Sequence, residues 1–136
     1  MIPAWRDGHR ERHHRLPRVA YRGNVTVSFH ACIAYRRRVL ANAATFDALL
    51  GILDDVASRH ACAVRAYCFM PDHLHVILRG TTPEADIWAA MVDLKQRTGL
   101  WLAANAGARW QKDFYDEILR SYEQAQDMIS YVLRTR

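Results

Sequence analysis

Two histidines, His73 and His75, lie in an otherwise apolar stretch, CFMPDHLHVILRG, which spans residues 68–80. Alternate residues of a β-strand point to the same face of a sheet, with Cα atoms about 6.6 Å apart. If the stretch is a strand, both imidazoles project together while the apolar residues around them face the other side. Two converging imidazoles can share a divalent ion, although the spacing also fits two histidines that are satisfied by hydrogen bonds.

The charge of the chain bears on what such an ion would do. The formal net charge is +5 at pH 7, and arginine supplies most of the positive charge. Arginine matches the geometry of phosphate groups, so a polyanionic partner agrees with the composition, as it also would for many basic proteins that bind no nucleic acid. Two imidazoles leave the shell of a hard cation incomplete, and water, a carboxylate or a substrate phosphate would complete it.

A tyrosine near the end of the sequence offers a nucleophile. The segment SYEQAQDMISYVLRTR has a helical apolar stripe formed by Ala125, Met128, Ile129 and Val132. At 100° per residue, Tyr131 lies about 120° from the centre of that stripe, beside it rather than within it. The residue either packs as an amphipathic side chain or attacks phosphorus as a phenolate. Spacing alone does not separate it from three other tyrosines, Tyr67, Tyr115 and Tyr122.

The elements that would position these residues begin with a strand and a helix. Apolar and polar residues alternate over residues 25–34, which predicts a first strand. Apolar residues at helical spacing from Phe46 to Val56 predict a first helix, with Thr45 as its N-cap.

The central part of the sequence predicts a hairpin followed by a second helix. Residues 61–70 and 73–79 are expected to form two strands joined by a tight turn at Pro71-Asp72. A helix start is predicted at Thr82-Pro83-Glu84, and Ile87, Ala90, Met91 and Leu94 form the buried stripe of that helix.

The last part of the sequence predicts the end of the second helix, a strand and a third helix. Gly107 is expected to end the second helix, and residues 110–120 contain a fourth strand. Ser121 and Gln124 match a capping box, so the last helix begins there.

The order β-α-β-β-α-β-α predicts an α+β fold of the ferredoxin-like split βαβ type. We expect a four-stranded, largely antiparallel sheet with two helices on one face, plus a C-terminal helix that carries the tyrosine. Residues 1–18 are predicted to be a basic N-terminal arm and residues 19–136 a single domain. The sequence has no apolar run long enough to span a bilayer and no secretory signal, so a cytoplasmic location is expected.

Three stretches of the sequence resemble the single-tyrosine HUH transposases, which carry a transposase IS200-like domain. They are RLPRVAYRGNVTVSFHACIAYRRRVL, YCFMPDHLHVIL and WQKDFYDEILRSYEQAQDMISYVLRTR. The resemblance covers about residues 16 to 136, and it is closest to the REP-associated tyrosine transposases.

The resemblance implies a mechanism and a substrate. His73 and His75 would hold Mg²⁺ or Mn²⁺, and Tyr131 would attack single-stranded DNA, forming a 5′-phosphotyrosine link and freeing a 3′-OH. The substrates would be palindromes that fold into hairpins, either REP-like or at the ends of a mobile element. Rejoining to another 3′-OH reverses the reaction without ATP. The outcome would be DNA transposition or mobilisation of REP elements.

A third metal ligand is less well defined in the resemblance. An amide side chain one helical turn after the tyrosine would be a natural ligand, and Thr135 stands there instead. Asp127 and Gln124, which precede Tyr131 on the same helix, are the other candidates.

Basic side chains are predicted to contact the phosphates of the DNA, with solvated surface charge as the alternative for each. They are Arg36, Arg37, Arg38, Lys95 and Arg97.

Two other functions and two assemblies fit the same sequence. A domesticated protein that binds hairpins without catalysis is the alternative function, and a metal-dependent hydrolase that uses water is a third. A homodimer and a monomer are equally compatible with the sequence.

Overall fold

The computed structural model describes residues 16–134, so most of the predicted arm and Thr135 lie outside the described residues. Within this range the predicted order of elements is confirmed. The strands are β1 (Thr26–Cys32), β2 (Cys62–Met70), β3 (His73–Gly80) and β4 (Tyr115–Leu119), and the helices are α1 (Ala43–Arg59), α2 (Ile87–Ala106) and α3 (Tyr122–Arg134). None of these helices is both long and apolar enough to cross a bilayer.

The four strands form one sheet in the order β2-β3-β1-β4, and every neighbouring pair is antiparallel. This is the strand order of the split βαβ arrangement, in which β1 and β3 are the central strands. The α+β prediction is therefore confirmed. Because β3 and β1 are central, side chains on these two strands lie in the middle of each face.

The two faces of the sheet are covered differently. Val27, Phe29 and Leu74 are among the strand residues that join the stripes of α1 and α2 in a large core. The other face carries α3 on a small cluster formed by Ala66, Cys68, Ile77, Leu119, Met128 and Val132. The period-two alternation of β1 and β3 assigns successive side chains to these two faces. We call the second of them the α3 face.

The predicted starts of the first two helices are wrong. The N-cap of α1 is Asn42, whose side chain accepts a hydrogen bond from the backbone N–H of Thr45 at 3.2 Å. The N-cap of α2 is Asp86, which accepts from Ala89 at 3.0 Å, so Thr82 lies in the preceding turn. Asn and Asp are strong caps and take precedence over the threonines nearby.

Gly80, the last residue of β3, lies against the backbone of Gly23. A Cβ at position 80 would overlap the carbonyl oxygen of Gly23 and lie 2.9 Å from the Cβ of Ala85. We expect Gly80→Ala to lower the free energy of unfolding by about 3 kcal/mol, because the backbone must shift to admit the methyl group. Urea denaturation measures this value.

Gly51 provides the matched control for this substitution. It lies in α1 with no heavy atom within 4 Å of an added Cβ. Gly51→Ala should therefore raise the free energy of unfolding by about 0.5–1 kcal/mol, through its helix propensity. Similar effects of the two substitutions would contradict the close approach at Gly80.

Candidate active site

The α3 face brings the two predicted histidines next to a third. Antiparallel pairing places His75 opposite His30 and His73 opposite Cys32. The ring centroid of His30 lies 5.0 Å from that of His73 and 5.7 Å from that of His75. As predicted, His73 and His75 share one face while Leu74 between them points into the large core. Three imidazoles therefore lie together on the two central strands.

His75 is the most buried of these rings, with 2% of its surface exposed. Its Nε2 lies 2.8 Å from the hydroxyl oxygen of Ser28. Burial, and to a lesser degree the neighbouring His73, lowers the pKa of His75 to about 3. The ring is therefore neutral at physiological pH, which is the form that ligates a metal ion. When Nε2–H donates to Ser28, Nδ1 is the ring nitrogen that carries the lone pair.

His73 is oriented by a carboxylate. Its Nδ1 lies 2.9 Å from one oxygen of Asp72, whose other oxygen accepts a hydrogen bond from Nε of Arg36 at 2.9 Å. Burial raises the pKa of Asp72, but the hydrogen bonds from His73 and Arg36 outweigh it, so the pKa lies below its usual value. An ionised Asp72 accepts the Nδ1–H of His73 and so orients the ring, with Nε2 on its opposite side. Histidines that ligate metals commonly have such a carboxylate partner.

The backbone after β1 is strained where it supplies Arg36. Tyr35 and Arg36 have φ of 62° and 54°, in the left-handed region that non-glycine residues rarely adopt. Such a conformation costs of the order of 1 kcal/mol per residue. It places Arg36, which was predicted to contact phosphate, beside Asp72.

The structure does not gather the other predicted phosphate contacts around the histidines. Arg37 donates to the carbonyl oxygen of Gly107 at 2.6 Å, and Arg38 is exposed. Lys95 and Arg97 lie on α2, which packs on the opposite face of the sheet from the histidines.

The third helix brings Tyr131 to the histidine pair. Met128 and Val132 are buried in the small cluster and fix the rotation of α3, so that Tyr131 packs partly buried beside them. The ring centroid of Tyr131 lies 6.4 Å from that of His75, at an interplanar angle of 61°. The structure thus places the phenol of α3 beside the imidazole of His75 on β3.

Two of the three candidates for a third ligand, Asp127 and Gln124, lie on the described part of α3. Asp127 is exposed. Gln124 accepts a hydrogen bond from the backbone N–H of Arg120 at 2.8 Å and donates to Glu117 at 3.3 Å, and its own N–H donates to Ser121 as the predicted capping box requires. Across residues 16–134, no group of three or more His, Cys, Asp or Glu side chains is arranged to hold a metal ion.

The residues present nevertheless fit a divalent ion that keeps further ligands of its own. His73 and His75 offer two imidazoles on one face of the sheet, each with one ring nitrogen close to a polar partner. Water or a substrate phosphate would supply the remaining ligands that Mg²⁺ or Mn²⁺ needs.

Sequence reasoning missed three residues that shape this site, His30, Ser28 and Asp72. A signal was present for the first two, because the alternation of β1 puts both opposite its apolar residues and therefore on a polar face. Which residue of β3 they would meet depends on the register of a non-local strand pair, here His30 with His75. That register cannot be derived from the period of either strand.

Without metal, the stability of the protein should depend on the protonation of His75. The pKa of His75 is about 3 in the folded chain and 6.5 without burial. Between these two values the unfolded chain binds a proton on His75 that the folded chain does not, so acid favours unfolding. The free energy of unfolding should fall by about 3 kcal/mol between pH 6.5 and pH 4 through this residue alone. Urea denaturation in EDTA should show a flatter pH dependence for His75→Gln than for the wild type. Parallel pH dependences for the two proteins would contradict the buried, neutral state of His75.

Comparison with known proteins gives a family and several similar solved structures. The family model described as "Transposase IS200 like" matches residues 22–132. No curated protein matches the chain.

The first similar structure is that of a REP-associated tyrosine transposase bound to a REP hairpin. It has a TM-score of 0.68 and 17% sequence identity, and the match covers 82% of this chain and 66% of that protein. This chain therefore spans just under two thirds of that relative. The second is described as a putative transposase from Deinococcus radiodurans R1, with a TM-score of 0.60 and 22% sequence identity. The match covers 82% of this chain and 90% of that protein. At these identities the two structures support the fold.

Proposed function

Because the chain belongs to the IS200-like transposase family, a family of DNA-processing enzymes, we propose that it cleaves and rejoins single-stranded DNA through Tyr131. The observation that carries this proposal is the position of the Tyr131 ring, 6.4 Å from that of His75. The substrates proposed are hairpin-forming palindromes, because the similar REP-associated transposase is bound to a REP hairpin.

In the proposed reaction the phenolic oxygen of Tyr131 loses its proton and attacks a backbone phosphorus. A 5′-phosphotyrosine bond forms as the bond from phosphorus to the 3′ oxygen breaks, and that oxygen leaves as a 3′-OH. Attack by a different 3′-OH reverses these steps and restores the phenol. The number of phosphodiester bonds is unchanged, so no ATP is consumed.

The side chains around the tyrosine have distinct positioning roles in this proposal. His73 and His75 would hold Mg²⁺ or Mn²⁺, which offsets the charge on the phosphate when it is bound. Asp72 fixes the ring of His73, and Ser28 fixes that of His75. The small cluster under α3 holds the phenol against the histidine face, which lowers the entropic cost of reaching the attack geometry.

Incubation with a 5′-labelled and a 3′-labelled single-stranded hairpin, with Mn²⁺ or with EDTA, tests the proposal. A metal-dependent adduct that survives denaturation and carries only the label on the 3′ side of the cleaved bond supports it. Cleavage without any adduct points to a hydrolase that uses water. Hairpin binding with neither cleavage nor adduct points to a domesticated binding protein.

A further inference from the structure

A thiol lies beside the imidazoles of the α3 face. Cys32 follows His30 by two residues at the end of β1, so both side chains point to this face. Antiparallel pairing places Cys32 opposite His73 on β3. Sγ of Cys32 lies 4.0 Å from Nε2 of His30, and the ring centroid of His30 lies 5.0 Å from that of His73. We call these three side chains the thiol–imidazole cluster.

The spacing of this cluster is close to that of three ligands around one zinc ion. Zinc lies about 2.3 Å from a thiolate sulfur and about 2.0–2.1 Å from an imidazole nitrogen, with tetrahedral angles. In that geometry the sulfur lies about 3.6 Å from the nitrogen, and the centroids of two bound rings lie about 5.2 Å apart. The corresponding distances in the cluster are 4.0 Å and 5.0 Å. The three side chains therefore already have nearly the separation that a shared ion requires.

The cluster is not preformed, and an ion would complete it. Across the part of the chain that the structure describes, no group of three such side chains is arranged to hold a metal ion. The sulfur must approach the nitrogen by about 0.4 Å, and the rings must turn their lone pairs toward one point, which small rotations about the side-chain bonds provide. His30 and Cys32 are 7% and 8% exposed, whereas His73 is only partly buried. An ion therefore enters the cluster from the side of His73.

The donor atoms of the cluster distinguish between metal ions. Thiolate and imidazole ligands favour Zn²⁺, whereas Mg²⁺ binds oxygen ligands. Burial raises the pKa of the Cys32 thiol, so this group is protonated in the metal-free protein, and coordination of zinc releases its proton to the solvent. Asp72 lies 2.9 Å from Nδ1 of His73, and such a carboxylate partner is common for histidines that bind zinc.

We propose that Cys32, His30 and His73 bind Zn²⁺, with a water molecule as the fourth ligand. This site differs from the pair proposed to hold Mg²⁺ or Mn²⁺, because it uses a thiolate and leaves His75 beside Ser28. The two sites share His73, so only one of them can be filled at a time. Zn²⁺ would therefore displace the ion that cleavage of DNA needs, a consequence that rests on the proposed function.

Titration of the DNA-free protein with Co²⁺ tests the site without any catalysis, because Co²⁺ accepts the ligands of Zn²⁺ and absorbs light where Zn²⁺ does not. We expect a thiolate-to-cobalt charge-transfer band in the near ultraviolet, which added Zn²⁺ removes by binding more tightly. The loss of the band with Zn²⁺ concentration measures the affinity for Zn²⁺. Only thiolate ligation produces this band, so ions held by His9, His13 or His14 do not contribute to it.

Substitutions in the cluster should remove this signal. Cys32→Ser should abolish the charge-transfer band and weaken Zn²⁺ binding at least about 100-fold, because it removes the thiolate. His30→Gln keeps the thiolate and should weaken Zn²⁺ binding about 100-fold, and it provides the test if Cys32→Ser does not fold. His75→Ala should keep the band and change the affinity for Zn²⁺ by about twofold at most. Urea denaturation in EDTA verifies that each variant folds.

Cys62→Ser is the matched control. Cys62 is also buried, but it belongs to the large core, and its thiol donates to the carbonyl oxygen of His60. This variant should keep the charge-transfer band. The proposal is overturned if the wild type shows no such band, or if the band survives in Cys32→Ser. A band that is lost in Cys68→Ser instead would assign the thiolate to β2 and would also overturn it.

Failure of this inference and failure of the proposed function give different results. If the adduct with Tyr131 forms in Mn²⁺ while Co²⁺ gives no thiolate band, the zinc site is wrong and the function stands. If no adduct forms while the band depends on Cys32, the function is wrong and the zinc site stands. When both are right, Zn²⁺ should suppress the adduct in the wild type at a lower concentration than in Cys32→Ser.

Discussion

Replacing Tyr131 with phenylalanine should reduce formation of the covalent DNA adduct by at least about 10³-fold, because the substitution removes the only atom that forms the bond. Phenylalanine keeps the ring that packs on the small cluster, with its centroid 6.4 Å from that of His75. Binding of the hairpin and the free energy of unfolding should therefore stay close to the wild-type values. A denaturing gel measures the adduct, and anisotropy measures the binding.

Tyr67→Phe is the control for this substitution. Tyr67 also lies partly buried on a strand, but it packs against Phe69 on the face of the large core. Its substitution should leave the adduct unchanged. An adduct that persists in Tyr131→Phe and maps to Tyr115 or Tyr122 would show that another tyrosine is the nucleophile. Cleavage that survives without an adduct would show that water attacks instead.

The second large effect should follow the loss of either histidine on β3. His73→Ala and His75→Ala should each weaken binding of Mn²⁺ to the DNA-free protein by about 100-fold, because each removes one of two imidazole ligands. Calorimetric titration, or the paramagnetic resonance signal of free Mn²⁺, measures this affinity without any catalytic turnover. Adduct formation should fall in parallel.

Two further variants separate ligation from simple loss of a histidine. His60→Ala removes a histidine that pairs with Asp93 across α1 and α2, away from the α3 face, and should keep the affinity for Mn²⁺. Asp72→Asn should weaken it about tenfold, since the carboxylate orients His73 and raises the basicity of its ring. If His73→Ala and His75→Ala bind Mn²⁺ as the wild type does, the ion is held elsewhere.

The sequence predicted the elements and faces of this fold because those depend on local periodicity. The alternation around His73 and His75 put both rings opposite Leu74, as the structure has them. The helical stripe of the last segment put Tyr131 beside Met128 and Val132, as observed. Each of these predictions needs only the geometry of one element.

The starts of the first two helices, which depend on competition between caps, were predicted wrongly, and the exact register between strands was not predicted. Thr45 is an acceptable cap, but the preceding Asn42 binds its N–H and starts α1 earlier. His30 was not foreseen as a neighbour of His75, because strand register depends on the whole sheet.

The unequal cover of the two faces has a consequence for how the molecule opens. The histidines belong to strands whose other side is sealed by the large core, whereas only Met128 and Val132 of α3 are buried. Detachment of α3 exposes little apolar surface, so its amide hydrogens should exchange through a local opening while those of β1 and β3 exchange only on global unfolding. The phenol and the imidazoles thus belong to different cooperative units, and the protein can withdraw the proposed nucleophile while the face proposed to bind the ion stays folded.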